Sequence, residues 1–143
     1  SGELLLNFRI QKVAERHPGC RGMAISRDGG ETWLPSTLAK NLNDVICQAG
    51  WMRVPSSKST EPGWLVFSNP DSAPGPHSAG RARMTVKISS DEGATWPVKR
   101  LLHPGPSAYS CPALLSDGTL GVLYECGENK YYERIKFARA SIL

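Results

Sequence analysis

The side chains that most often carry metal or redox chemistry are few and widely separated in this sequence of 143 residues. None of the four cysteines, Cys20, Cys47, Cys111 and Cys126, forms the C-x-x-C pair that is typical of zinc or redox sites. Cys47 and Cys111 lie beside apolar runs, which favours buried free thiols, although disulfide pairing stays open. The three histidines are paired with neither a nucleophile nor a metal ligand, so the sequence predicts no metal site.

An octapeptide rich in hydrogen-bonding side chains occurs twice. Residues 26–33 (SRDGGETW) and 89–96 (SSDEGATW) both read S-x-D-x-G-x-T-W. The shared positions are Ser26, Asp28, Gly30, Thr32 and Trp33 in the first copy, and Ser89, Asp91, Gly93, Thr95 and Trp96 in the second. Ser and Asp side chains accept backbone N–H bonds in tight loops, glycine tolerates φ > 0, and tryptophan packs under the turn. We predict two structural hairpin turns of a modular array, without chemistry of their own.

Short β-type runs separated by Gly/Pro turns recur along the chain and predict an all-β protein. The predicted strands are residues 4–8, 22–26, 45–54, 64–68, 84–89, 98–102, 110–115, 120–125 and 135–142. We expect one short helical turn within residues 35–43, a turn at 104–106 and a long surface loop over 68–80. Nine strands at four per blade amount to a little over two blades of a β-propeller.

Composition excludes several function classes. The net charge of +4 is modest and the basic residues are scattered, so we predict no nucleic-acid partner. No segment is long and apolar enough to span a membrane, so we predict no membrane partner. The length corresponds to one domain.

Motifs in the second half of the chain are more specific than the octapeptides. Residues 104–110 (PGPSAYS) are followed by 121–125 (GVLYE) and 132–135 (YERI), and residues 47–49 (CQA) and 67–70 (FSNP) add further matches. In this order they resemble the last blades of the exo-α-sialidase (neuraminidase) family, whose octapeptide turns are called Asp boxes. The resemblance covers essentially the whole chain. It implies a six-bladed β-propeller, of which residues 1–143 would be the C-terminal portion of a single domain, with roughly two to three blades present.

By this resemblance Tyr109 is the catalytic nucleophile of a retaining exo-sialidase. Sialic acid carries its carboxylate on the anomeric carbon, so an Asp or Glu nucleophile would approach against like-charge repulsion. A phenol, with a reference pKa near 10, is neutral at pH 7 and needs an adjacent carboxylate base. Sialidases are the tyrosine-nucleophile exception among glycosidases.

The resemblance also implies the residues that bind substrate. Arg9 matches the second, and Arg81 the third, of three arginines that clamp the sugar carboxylate, with Arg83 as the competing candidate for the third. Gln48 is expected to line the pocket near the glycerol tail. Glu125 is expected to hold the first arginine of the clamp in place.

Other polar residues are expected to be uninvolved. Tyr124 is expected in the core, and Glu128 and Glu133 on the surface. The arginines expected to be solvated surface charges are Arg16, Arg21, Arg27, Arg53, Arg100, Arg134 and Arg139.

In the family, the first arginine, the aspartic acid/base and the glutamate that activates the tyrosine would all precede Ser1. We therefore expect the 143-residue chain alone not to turn over sialosides at a useful rate. We expect the missing N-terminal part of the propeller, or self-association, to cover its exposed sheet edges. The resemblance implies sialylated glycans or related nonulosonic acids as partners and no cofactor. The chain carries no address of its own, and the substrate favours a secreted, periplasmic or lysosomal location.

Three alternatives stay open. A trans-sialidase would use the same residues. A non-catalytic propeller module could keep the pocket and bind acidic glycans. A hydrolase of neutral polysaccharides could also contain Asp boxes, although such a sugar offers no carboxylate for Arg9 and Arg81 to clamp.

Overall fold

The structure is a computed structural model that describes residues 3–11, 18–56, 63–72 and 80–141. Within these ranges it contains nine strands and no helix. The strands are β1 (Leu4–Phe8), β2 (Cys20–Ser26), β3 (Thr37–Asn43), β4 (Gly50–Val54), β5 (Trp64–Pro70), β6 (Ala82–Ser89), β7 (Val98–Leu114), β8 (Leu120–Cys126) and β9 (Arg134–Ala140). The all-β prediction is confirmed.

Strands that are consecutive in sequence pair antiparallel, β1–β3 in one sheet and β4–β9 in another. The 17-residue β7 changes partner along its length. Its first part pairs with β6 up to Pro106, and its second part pairs with β8 from Ser107 onward. We call β1–β3 the first blade, β4–β6 with the start of β7 the second blade, and the end of β7 with β8 and β9 the third blade. The three blades are part of a β-propeller, in agreement with the prediction of roughly two to three blades.

Apolar clusters lie between successive blades. Leu42 of β3 packs with Phe67 of β5 and with Trp96 between the first and second blades. Met84 of β6 and Val122 of β8 belong to the cluster between the second and third blades. β5 and β6 are buried along nearly their whole length because they have packed neighbours on both faces.

Both octapeptides are turns between antiparallel strands, the first between β2 and β3 and the second between β6 and β7. The same set of hydrogen bonds stabilises each turn. In the second copy, Gly93 N–H donates to Ser89 Oγ over 2.9 Å, and Thr95 N–H donates to Asp91 Oδ1 over 2.8 Å. Gly93 has φ 85°, which an L side chain rarely adopts. The first copy repeats these bonds with Ser26, Asp28, Gly30 and Thr32.

The tryptophans of the two copies differ in burial. Trp96 is 6% exposed, and its ring lies 5.9 Å from Trp51 and 6.0 Å from Phe67, centre to centre. Trp33 is 42% exposed. The repeat therefore specifies the turn, while the neighbouring strands decide whether its tryptophan joins the core.

The predicted helical turn within residues 35–43 is wrong, because this segment contains β3. Ala39 and Leu42 are both buried and three residues apart, a spacing that suggests a helix. That spacing arises from a register shift in the β2–β3 pairing, where Cys20 pairs with Asn43 but Arg21 pairs with Ala39. Such a bulge interrupts the alternation of inward and outward side chains, so two inward side chains can be three residues apart instead of two.

Three predicted boundaries also differ. The predicted turn at Pro104–Pro106 lies inside β7, at an irregularity of the β6–β7 pairing where a missing backbone N–H is tolerated. The strand predicted from residue 45 starts at Gly50, and residues 45–49 form an irregular segment. β5 continues to Pro70 into the predicted loop, of which residues 73–79, with His77, lie outside the described residues, as do His17 and Arg16.

All four cysteines are free thiols. Cys20, Cys47 and Cys126 are buried, whereas Cys111 is exposed. No group of three or more metal-ligating side chains is found in the described part of the chain. Nor do the described ranges contain a helix long and apolar enough to cross a membrane.

The carboxylate of the second octapeptide should make stability sensitive to acid. Hydrogen bonds from the Thr95 hydroxyl, the Ser89 hydroxyl and the Thr95 amide lower the pKa of Asp91 to about 2. This is below the unfolded value of about 3.9, so the ionised group stabilises the fold above that pH, and the contribution is lost as the pH falls toward 2. We expect Asp91→Asn to lower the thermal unfolding midpoint at pH 7 and to flatten its fall between pH 4 and pH 2.

The control is Glu31→Gln, an exposed position of the first octapeptide that is occupied by Ala94 in the second. It should unfold like the parent across the same pH range. An Asp91→Asn protein whose midpoint falls with acid as steeply as the parent's would contradict the assignment.

Candidate functional site

Three of the predicted site residues line one surface depression of about 300 Å³. Arg9 follows β1, Gln48 lies in the segment before β4, and Tyr109 lies on β7. Asn7 and Arg21 also line this depression. Residues from the first blade and from the shared strand β7 are thus brought to one place.

Tyr109 lies where β7 changes partner. The pairing of β7 with β8 shifts register between Ser107 and Ser110. Ser107, Ala108 and Ser110 are buried, while Tyr109 is 41% exposed. The irregularity therefore presents the phenol to solvent from a segment that is fixed on both sides.

Glu125 lies beside this tyrosine on β8. The backbone N–H of Tyr109 donates to Glu125 Oε2 over 3.1 Å. The predicted role of Glu125, support of the first clamp arginine, concerns a residue outside the sequence and stays a prediction. What the structure adds is a contact between this carboxylate and the backbone of Tyr109.

Gln48 binds the same stretch of β7. Its Nε2 donates to the backbone oxygen of Ser110 over 3.0 Å, and Ser110 N–H donates to Gln48 Oε1 over 2.9 Å. The Ser110 hydroxyl in turn lies 2.8 Å from the hydroxyl of Ser68 on β5. The amide of Gln48 therefore holds the backbone next to Tyr109 as well as lining the depression.

Arg81 lies immediately before β6, and its guanidinium lies beside the ring of Tyr109. Its Nη2 donates to the Ile46 carbonyl over 2.6 Å, and its Nη1 donates to the Tyr132 hydroxyl over 2.8 Å. The guanidinium carbon is 5.4 Å from the ring centre of Tyr131 and 6.0 Å from that of Tyr109. Cation–π attraction operates at these distances.

The competing arginine, Arg83, is placed differently. It is exposed, with φ 65°, and its backbone carbonyl accepts a bond from Asp71 N–H over 3.0 Å. The structure brings Arg81 to Tyr109 and leaves Arg83 at the surface.

Arg21 is not the solvated charge that was expected, since it is 3% exposed. Its Nε donates to Asn7 Oδ1 over 2.8 Å, and its Nη1 donates to the Cys47 carbonyl over 2.8 Å and lies 3.4 Å from Asp44 Oδ1. Burial lowers the pKa of Arg21, and Asp44 opposes that shift. A buried guanidinium needs such a charge partner and such acceptors, and nothing in the local sequence connects Arg21 with Asp44.

Tyr131 and Tyr132 are further site residues that sequence reasoning missed. Tyr132 is 56% exposed, and its ring centre is 6.4 Å from that of Tyr109. The preceding turn is held by Glu133, whose carboxylate accepts bonds from the backbone of residues 128–130. Glu133 is exposed, as expected. These bonds lower its pKa, and the bond from the backbone N–H of Glu128 has the largest effect. The tandem tyrosines beside the YERI motif were the available signal.

Other side chains near the site are not placed to react. The Cys47 thiol is buried, and burial raises its pKa to about 11, so it stays protonated at neutral pH. Tyr124 is buried in the apolar cluster between the second and third blades, as expected, and burial raises its pKa. His103 lies 3.0 Å from the carbonyl of Gly127. Arg27, Arg53, Arg100, Arg134 and Arg139 are exposed, as expected.

Comparison with known proteins identifies sialidases. The chain is 34% identical over 140 residues to a sialidase of Micromonospora viridifaciens, an alignment that covers 96% of the chain and 20% of that protein. A solved Hadza microbial sialidase superimposes with a TM-score of 0.78 and 34% identity, over 99% of the chain and 25% of that structure. A leech intramolecular trans-sialidase shares the fold, with a TM-score of 0.75 and 23% identity over 98% of the chain and 22% of that structure. No protein-family model matches the chain.

The chain thus spans about a fifth to a quarter of the length of these proteins.

The contacts of Gln48 predict a loss of stability when its amide is removed. Gln48→Ala leaves the N–H and the carbonyl of the buried Ser110 without a partner, which costs about 1–3 kcal/mol. We expect this loss in the free energy of unfolding, measured by urea denaturation. Gln48→Glu, which keeps the acceptor for Ser110 N–H, should lose less. Equal losses in the two variants would show that the bond from Ser110 N–H adds no stability, and an unchanged Gln48→Ala protein would contradict the role of both bonds.

Proposed function

We propose, on the premise that this chain belongs to the sialidase family, that it is the C-terminal part of a retaining exo-sialidase that releases terminal sialic acid from glycoconjugates. The observation that carries the proposal is the convergence of Tyr109 with Arg81 on one side and Arg9 and Gln48 on the other. Sialylated glycans, or glycans of related nonulosonic acids, would be the substrates. A secreted, periplasmic or lysosomal location follows from where such glycans occur.

Tyr109 is proposed as the nucleophile. Its exposure and its fixed backbone suit a phenolic oxygen that must approach the anomeric carbon. Attack would displace the aglycone and form a tyrosyl–sugar bond, which water then cleaves with net retention. The base that takes the phenol proton and the acid that protonates the aglycone would come from the part of the propeller that precedes Ser1.

The two arginines are proposed to bind the sugar carboxylate. A guanidinium fork pairs with a carboxylate through two parallel hydrogen bonds and stays protonated. Arg81 lies beside the proposed nucleophile, and its described hydrogen-bond partners, a carbonyl and a phenol, are both neutral. Its positive charge therefore stays available to an anionic ligand.

Tyr109→Phe tests the nucleophile in the protein that includes the upstream sequence. We expect it to abolish hydrolysis of a fluorogenic sialoside, because phenylalanine has no oxygen to form the covalent intermediate. Tyr124→Phe, the same change at a core position, should retain activity. The 143-residue chain alone should be inactive, and hydrolysis by this chain that disappears in Tyr109→Phe would contradict that expectation.

An inactive parent protein that folds and binds free sialic acid would instead support a glycan-binding module. Binding that does not depend on the carboxylate would favour a neutral sugar.

Arg81→Lys and Arg83→Lys distinguish the two candidate clamp residues. Lysine keeps the charge but loses the fork, so Arg81→Lys should weaken binding of free sialic acid by about tenfold, or about 1.4 kcal/mol. Arg83→Lys should bind like the parent. Calorimetric titration of both variants measures the difference, and the reverse order would reassign the clamp to Arg83.

A further inference from the structure

The residues proposed to bind substrate all depend on one short segment, residues 44–48 between β3 and β4. Arg81 donates to the carbonyl of Ile46, and Gln48 lies at the end of the segment. Ile10, the neighbour of Arg9, donates its backbone N–H to Asp44 Oδ2 over 3.1 Å. Arg81, Gln48 and the backbone next to Arg9 therefore share one support.

Asp44 is the centre of this support. It is 1% exposed, and besides Ile10 N–H it accepts a bond from Cys47 N–H over 3.3 Å and contacts Arg21. Arg21 in turn binds the Cys47 carbonyl and Asn7. The ion pair thus contacts both chain segments that lead to the depression, the end of β1 and residues 44–48.

The segment is also held in an unfavourable conformation. Ile46 has φ 55°, in the left-handed region that β-branched residues avoid. Such a conformation is strained and persists only where surrounding contacts fix it. Ile46 is held on one side by the bonds that Asp44 accepts and on the other by the bond from Arg21 to the Cys47 carbonyl. The result is that the Ile46 carbonyl faces the guanidinium of Arg81.

We propose that the buried Arg21–Asp44 pair is a positioning device for the carboxylate clamp. It fixes residues 44–48 so that Ile46 orients Arg81 through a neutral carbonyl, and it fixes the backbone next to Arg9. Both arginines are thereby oriented without a carboxylate of the protein neutralising Arg81. This inference rests on the proposed function, because it assumes that Arg9 and Arg81 bind the sugar carboxylate.

Selectivity for the carboxylate is the property that tests this role. We would measure, in the protein with its upstream sequence, the affinities for free sialic acid and for its methyl ester by calorimetry. Arg21→Lys keeps a positive charge opposite Asp44 but cannot reach Asn7 and Cys47 at the same time. We expect the preference for the acid over the ester to fall by about tenfold, with affinity for the ester unchanged.

The matched control is Arg53→Lys. Arg53 forms an exposed ion pair with Glu92, with its Nη1 2.7 Å from Glu92 Oε1. The same substitution there should leave the preference for the acid as in the parent.

If Arg21→Lys fails to fold, Ile46→Gly provides the test. Glycine adopts this φ without strain and keeps the carbonyl, but it frees the segment to move. The preference for the acid should again fall, with the thermal midpoint close to the parent's.

The two proposals can fail separately. An Arg21→Lys protein with a lower thermal midpoint but the parent's preference for the acid would overturn the positioning role alone, and so would an Ile46→Gly protein with that unchanged preference. A folded parent without any preference for the acid would overturn the carboxylate clamp, and the positioning role with it.

Discussion

The architecture around the site depends on one strand that has two different neighbours. β7 completes the second blade with its first part and opens the third blade with its second part. A continuous backbone cannot satisfy both ladders in one register, so a break falls between Ser107 and Ser110. Ser107 N–H donates to the carbonyl of Arg81 over 2.8 Å, and Gly127 N–H donates to that of Pro106 over 3.0 Å. Backbone bonds at the break therefore hold Arg81, just before β6, and Gly127, just after β8, against the residues of β7 that precede Tyr109.

The cations in the described part of the chain have two kinds of partner. Arg21 is buried with Asp44, and Lys87 is buried with Asp71, whose Oδ1 lies 2.6 Å from Lys87 Nζ. Both pairs satisfy the rule that a buried charge requires a partner. Arg81 is only partly buried, and its described hydrogen-bond partners are neutral. The structure thus separates buried cations that are paired with carboxylates from a cation that can receive a ligand.

Local patterns were enough to predict the strands and the turns, because alternating apolar residues and Gly/Pro punctuation are properties of a few neighbouring residues. β3 was missed because its bulge depends on how β2 pairs with it. The composition around Pro104 predicts a turn because an irregularity inside a strand has the same local composition. The candidate site required more than pattern. Motif order predicts Tyr109, Arg9 and Arg81 as site residues, whereas it does not predict the contacts of Arg21, Asp44 and Tyr132, because these join segments far apart in sequence.

The unequal burial of Trp33 and Trp96 gives the two octapeptides different optical properties. An aqueous collisional quencher would reach the indole of Trp33, whereas Trp96 is shielded by Trp51 and Phe67. Emission that resists quenching would then include that of Trp96 at the contact between the first and second blades, and this part would be lost when those blades separate. One repeated sequence thereby supplies both an outer and an inner fluorescent reporter of the same molecule.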